Sequence, residues 1–214
     1  GRLDEKQEEN MKKTMTMVLV IFLIFTLIGC SGIEPEKRRY PLAMGVDWAD
    51  GQFQVYYGMP DLPASTGQDK QEEGGDTSVL SFSGETFEQI QQAYDRSQDK
   101  YLDLGHLEAL ILGPGIREDR HWETLLEYLR KGSLIGEDMY VFEGENVDNL
   151  MNLNQSLGTS LGEYLTGIYE NRMTVRQDKG VTLKEVYYKW YEERELPNLP
   201  TLQEADGKLS VEFV

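Results

Sequence analysis

Between residues 40 and 200 the apolar positions recur with two different periods, and each change of period marks a new element. Leu42, Met44 and Val46 alternate up to Asp47, and Phe53, Val55 and Tyr57 alternate against Gln52, Gln54 and Tyr56. The Asp50-Gly51 pair between them has the turn chemistry of a hairpin, so two antiparallel strands are predicted. Val79, Leu80 and Phe82 read as a third strand that ends at Ser83-Gly84. Phe87, Ile90 and Tyr94, with Ala93 beside them, then recur at helical spacing. Residues 107–112 form an apolar strand closed by Gly113-Pro114-Gly115, and Trp122, Leu125, Leu126 and Leu129 make the stripe of the helix after it. Residues 139–142 predict a short strand, Val147 and Leu150 open a short helix, and residues 161–169 and 183–190 predict two more. Helices alternating with strands predict an α/β (α+β) domain, with a mixed sheet that begins antiparallel and has helices packed on it. Residues 61–78 (DLPASTGQDKQEEGGDTS) carry no apolar period and are expected to be a mobile, solvated loop. The acidic residues Asp69, Glu72, Glu73 and Asp76 within it lack the alternating oxygen-ligand spacing of a calcium loop.

A second kind of pattern precedes the domain. Residues 17–28 (MVLVIFLIFTLI) are apolar except for Thr26, and this run is too short for a bilayer core that needs roughly 20 residues. Met11-Lys12-Lys13 supplies a positive n-region before it, and small Gly29 and Cys30 follow it, which is the order of a secretory signal. Leu27-Ile28-Gly29-Cys30 resembles the bacterial lipobox, in which the thiol receives a diacylglycerol and the signal is cut just before the modified cysteine. Acyl chains buried at ~0.8 kcal/mol per CH₂ then give stable anchoring, palmitate being the chain type expected. The plainer alternative is a free cysteine beside a buried apolar segment. Residues 1–10 (GRLDEKQEEN) are acidic and unlike an n-region, so Met11 is the expected start and the first ten residues are expected to be a non-native upstream extension.

Composition narrows the function classes. The 214-residue chain has 21 Lys and Arg against 38 Asp and Glu, a formal charge of -17. Such a balance argues against a nucleic-acid binder, which neutralises phosphates with basic side chains. Cys30 is the one cysteine, so no internal disulfide forms and the fold rests on its core. His106 and His121 show neither HExxH nor paired-cysteine spacing, and no metal or cofactor site is expected. There is no GxSxG elbow, Walker loop or GxGxxG, and Pro114 removes an N–H that a phosphate cradle would use. His106, just before the strand at 107–112, is expected to be a hydrogen-bonded structural residue. No two carboxylates stand out as an acid and base pair, so no catalytic residue is assigned.

The order of the motifs resembles the N-terminal domain of the Ger(x)C spore germination lipoproteins, the C subunits of germinant receptors. The residues that carry the resemblance are the lipobox cysteine Cys30, the GVD of Gly45-Val46-Asp47, SGETFEQI at 83–90, LGHLEALILG at 104–113, LLEYLRKG at 125–132, MYVFEGE at 139–145 and VTLKEVYYKWYEERELPNLPTL at 181–202. Two features depart from the pattern. Ser31-Gly32 follows the cysteine where family members often have Trp-Asp, and the chain stops at Val214, inside a strand-like stretch at 209–214, although the family continues through two further domains.

The resulting layout is an upstream extension (1–10), a lipoprotein signal peptide (11–29), a tether (30–39), a Ger(x)C-like domain (40–200), and a linker with the start of a truncated next domain (201–214). The resemblance implies a non-enzymatic subunit, lipid-anchored on the outer face of the cell membrane or inner spore membrane. Its implied partners are the A and B membrane subunits of the receptor, with which it takes part in nutrient-triggered germination. Arg38 and Arg39 in the tether are expected to be solvated, with lipid headgroups as the alternative contact. Two rival functions remain, a solute-binding lipoprotein of a transporter and a lipid-anchored hydrolase.

Overall fold

The computed structural model describes residues 11–19, 34–60, 79–132, 134–153, 157, 159–171, 180–205 and 208–212. The chain divides into two units, Gly1–Pro35 and Glu36–Val214. In the first, residues 11–19 form helix α1, whose residues are exposed. Thr16 Oγ1 donates to the Lys12 carbonyl at 2.9 Å there. The rest of the predicted signal peptide and Cys30 lie outside the described residues, as does the loop expected at 61–78. Among the described residues no helix is long and apolar enough to cross a membrane.

The second unit is built on a mixed seven-stranded sheet of order β4-β3-β2-β6-β7-β8-β9. Its strands are β2 (Ala43–Ala49), β3 (Gln52–Gly58), β4 (Val79–Gly84), β6 (Ala109–Leu112), β7 (Tyr140–Gly144), β8 (Thr201–Ala205) and β9 (Lys208–Glu212). The hairpin β2–β3 closes with Ala49 opposite Gln52, and Asp50 (φ 53°) and Gly51 (φ 77°) both take positive φ, the backbone that Asp-Gly favours in a two-residue turn. β4 adds antiparallel to β3, so the sheet does begin antiparallel. From β2 onward the order turns parallel through β6, β7 and β8, and β9 closes the far edge antiparallel.

Helices cover both faces. On one, α2 (Phe87–Ser97), α4 (His121–Lys131) and α7 (Leu183–Glu193) bring Phe87, Ile90, Tyr94, Leu125, Leu129, Val186 and Trp190 against Met44, Val46, Val55, Tyr57 and Leu110. On the other, α5 (Val147–Asn152) and α6 (Leu161–Glu170) set Leu150, Met151, Leu161 and Leu165 on Ala43, Ile111 and Phe142. Coverage on both sides explains why all four residues of β6 (ALIL) are buried. Each fully buried Leu or Ile among them contributes roughly 1.5–3 kcal/mol relative to exposure.

Local chemistry fixes the helix starts. Thr86, Ser160 and Thr182 cap α2, α6 and α7 by accepting from the backbone three residues on, and Glu163 and Glu185 complete reciprocal capping boxes. Tyr187 of α7 donates to the Leu126 carbonyl of α4 at 3.3 Å. Burial, with Glu137 nearby, pushes that phenol up to about 12, so it remains a donor at any physiological pH.

The structure departs from the sequence-based layout at both margins of the domain. Arg38 and Arg39 form strand β1 (Arg38–Arg39), which pairs in parallel with β5 (Tyr101–Leu102) in a separate two-stranded sheet. Residues 201–214, expected as linker and the start of another domain, contribute β8 and β9 to the main sheet, with Leu199, Leu202 and Leu209 buried. Four consecutive apolar partners were enough to identify β6. The strand-like stretch at 209–214 marks β9, whereas β8, just after Pro197 and Pro200, reads as linker.

Candidate functional site

The carboxyl end of β2 makes a tight corner with the segment after β6. Asp47 accepts from the Trp48 N–H at 2.8 Å and from the Gly115 N–H at 2.9 Å, across 68 residues of sequence. Gly113 N–H donates to the Val46 carbonyl at 2.8 Å and carries the β2–β6 ladder one residue further. A Cβ on Gly113 would lie 2.2 Å from Asp47 Cγ, and one on Gly115 would lie 1.9 Å from the Trp48 carbonyl oxygen. Gly45 is equally confined, since its Cβ would meet Val147 Cγ1 of α5 at 2.5 Å. The GVD segment therefore has three structural roles: Gly45 admits α5, Val46 enters the core, and Asp47 ties β2 to the start of α3 (Pro114–Arg117). The Asp47 carboxylate fills the place where a phosphate would meet the Gly115 amide, so Gly113-Pro114-Gly115 is a packing corner.

Beside this corner, outside the carboxyl ends of β6 and β7, lies a cleft of about 490 Å³ lined by Gly113, Pro114, Arg117, Glu143, Gly144 and Thr201. A neighbouring hollow of about 390 Å³ shares Glu145 and Thr201 with it and continues along Asn149 and Gln203. Arg117 pairs with Glu143, which also accepts from Thr201 Oγ1 at 3.1 Å. The cleft thus joins groups from three strand ends, and its position is the usual place for a small ligand in an α/β sheet. Its lining offers hydrogen-bonding groups, one internally neutralised ion pair, and the Thr201 hydroxyl held on the carboxylate of that pair.

The two histidines stand at opposite ends of β2. His121 opens α4 and stacks on Trp48 with ring centroids 4.0 Å apart. His106 ends the 3-10 turn Leu104–His106, is exposed, and meets the Tyr40 ring edge-on at 4.8 Å. This corrects the expectation of a hydrogen-bonded structural His106. The strand starts only at Ala109, and the turn sends Leu107 into the core while His106 faces outward. Among the described residues no three of His, Cys, Asp and Glu converge on a possible metal position.

Near His106 the structure forms a latch that the sequence did not reveal. Asp103, 9% exposed, accepts from Arg38 at 2.6 Å and from the Gly105 N–H at 3.0 Å. Arg39 donates to Gln98 at 3.2 Å and approaches Asp99 at 3.8 Å. Burial works to raise the Asp103 carboxyl, but the Gly105 amide and the Arg38 guanidinium, with His106 nearby, outweigh it and hold the group below the usual carboxylate range. The two arginines are therefore engaged by the domain, in place of the solvated or lipid-bound roles expected of a tether. The cleft and the latch both join residues distant in the chain, and the topology alone brings them together.

Comparison with curated proteins and with solved structures returns no match. A family model does match residues 31–204, and its description is "Spore germination protein N-terminal domain". The match covers the sheet through β8, all the helices packed on it, and every Ger(x)C-like motif after Cys30. The chain belongs to the family of spore germination proteins, through their N-terminal domain.

Proposed function

We propose that this spore germination protein is the lipid-anchored C subunit of a germinant receptor, acting without enzymatic turnover beside the A and B membrane subunits. The observation that carries the reading is a junction in the sequence. The family match begins at residue 31, immediately after the cysteine that closes an n-region, an apolar run and a small residue in signal order. A signal of that form delivers the domain to the outer face of the cell membrane or inner spore membrane and leaves Cys30 as the acylated first residue. The non-enzymatic role is supported by the separation of His106 from His121 and by a cleft whose Arg117–Glu143 pair is already neutralised.

Mass spectrometry of membrane-extracted protein from the native host tests the anchor. The expected species begins at a diacylglyceryl Cys30, and Cys30→Ala is expected to release the protein or leave it unprocessed. An intact, unmodified Cys30 in that preparation removes the anchored-subunit reading. The cleft favours a second reading, capture of a small polar solute, because it lies at the strand ends where α/β sheets bind ligands. Saturable binding of a nutrient solute by the domain, abolished by a bulky substitution at Thr201, would favour that function.

A further inference from the structure

The domain has two distinct ends. The cleft lies at the carboxyl ends of β6 and β7, beside the start of β8. The start of the domain, the β1–β5 pair and the Leu104–His106 turn lie at the amino ends of β2, β6 and β7, before Ala43, Ala109 and Tyr140. Two large apolar side chains project from this second pole, Tyr101 at 57% and Leu134 at 64% exposure. Their neighbours Leu102, Leu104 and Ile135 point inward and pack on the core. Leu134 sits over the turn, with its carbonyl oxygen 3.2 Å and its Cβ 3.4 Å from the position of a Cβ on Gly105. Tyr101 lies in register with Arg38 and is flanked in sequence by Lys100. Lys37, Arg38, Arg39 and Lys100 gather at this pole with Glu36, Asp99 and Asp103, and Glu108, Glu137 and Asp138 lie just before β6 and β7, so its charge is mixed and contact with lipid rests on the apolar side chains.

We infer that this pole rests on the bilayer, with Tyr101 and Leu134 entering the headgroup layer and the cleft facing away from the membrane. The inference depends on anchoring at Cys30. Seven residues lie between Cys30 and Arg38, a span of at most about 28 Å of extended chain, so the anchor holds the β1 end nearer the lipid than the cleft end. An aromatic ring with a polar tip and an aliphatic side chain are suited to the interface, where the ring body is buried and the hydroxyl stays wet.

Hydrogen exchange on the full chain, displayed on vesicles of phosphatidylethanolamine and phosphatidylglycerol, tests the orientation. The chain is held either by its native lipid or, when unlipidated, by a thioether from Cys30 to a maleimide-bearing lipid. Amides of residues 101–106 and 134–136 are expected to slow by about tenfold relative to vesicle-free chain, the factor that burial of one such side chain carries. Amides of residues 144–146 and 201–203 are expected to be unchanged. A Tyr101→Ser, Leu134→Ser variant is expected to lose the slowing while keeping the parent melting temperature. Unchanged exchange at 101–106 and 134–136 in thioether-held chain overturns the inference, as does slowing that requires a co-reconstituted membrane protein. Failure of the anchor itself shows separately, as an unmodified Cys30 in host material, because the thioether arm reports orientation without native lipidation.

Discussion

Two glycines with different surroundings separate steric cost from conformational cost. Gly115 faces the Trp48 carbonyl oxygen, a backbone atom that cannot rotate away, whereas Gly51 has open space around its would-be Cβ and a φ of 77°. Gly115→Ala is therefore expected to cost about 3 kcal/mol by forcing β2 and α3 apart, and Gly51→Ala only about 1 kcal/mol of backbone strain. Urea denaturation of the two variants checks the order, and equal midpoints would show that the corner at Asp47 is soft. Gly51 was legible in advance because Asp-Gly between two alternating runs states its own conformation. Gly115 was not, because its constraint comes from a carbonyl 67 positions earlier in the chain that only the β2–β6 pairing brings near.

At the scale of the element, the β1–β5 pair is two residues long and depends on its side chains. Removing the guanidinium with Arg38→Ala leaves the buried Asp103 with the Gly105 amide alone, which is expected to cost about 1–2 kcal/mol for a pair intermediate between buried and exposed. Asp103 titrates below its ordinary 3.8, so its stabilisation is complete above that pH and is lost as pH falls through the depressed native value. Thermal melts of parent and variant should accordingly differ at pH 7 and converge in acid below that ordinary value; a gap independent of pH would mean that Arg38 acts through packing alone. Helices α2 and α4 were readable from stripes such as Phe87, Ile90 and Tyr94, since a 3.6-residue period survives in any tertiary context. Two-residue strands have no period to read. In the β8–β9 hairpin the alternation at 209–214 reads as strand, while β8, just after Pro197 and Pro200, resembles a linker. The cleft was illegible for a related reason: Gly113, Glu143 and Thr201 meet only through strand order, which no single segment encodes.

Across the whole molecule the surplus of acid acts as self-repulsion, and Glu108 is where it reaches the interior. Its Oε2 is buried without a hydrogen-bond partner among the described residues, and burial, then Glu163 and Glu170, raise its carboxyl above the ordinary 4.5. A raised acid binds its proton more tightly in the native state, so stability falls as pH climbs past 4.5. Glu108→Gln is expected to melt above the parent at pH 7 and level with it near pH 4, whereas a lower melting temperature at pH 7 would mean that the ionised carboxylate finds a partner. The small sheet that opens the domain also has a mechanical meaning. Tension arriving from the residues before Pro35 runs along β1 and meets a parallel ladder, which lies beside the pull and so shares the strain among its bonds at once instead of peeling them in turn. The Arg38–Asp103 pair bridges the same interface. In the anchored subunit proposed above, force on the leash would be taken up by a clasp of a few residues before it reaches β2, and the seven-stranded sheet behind it would be shielded from fluctuations of the membrane.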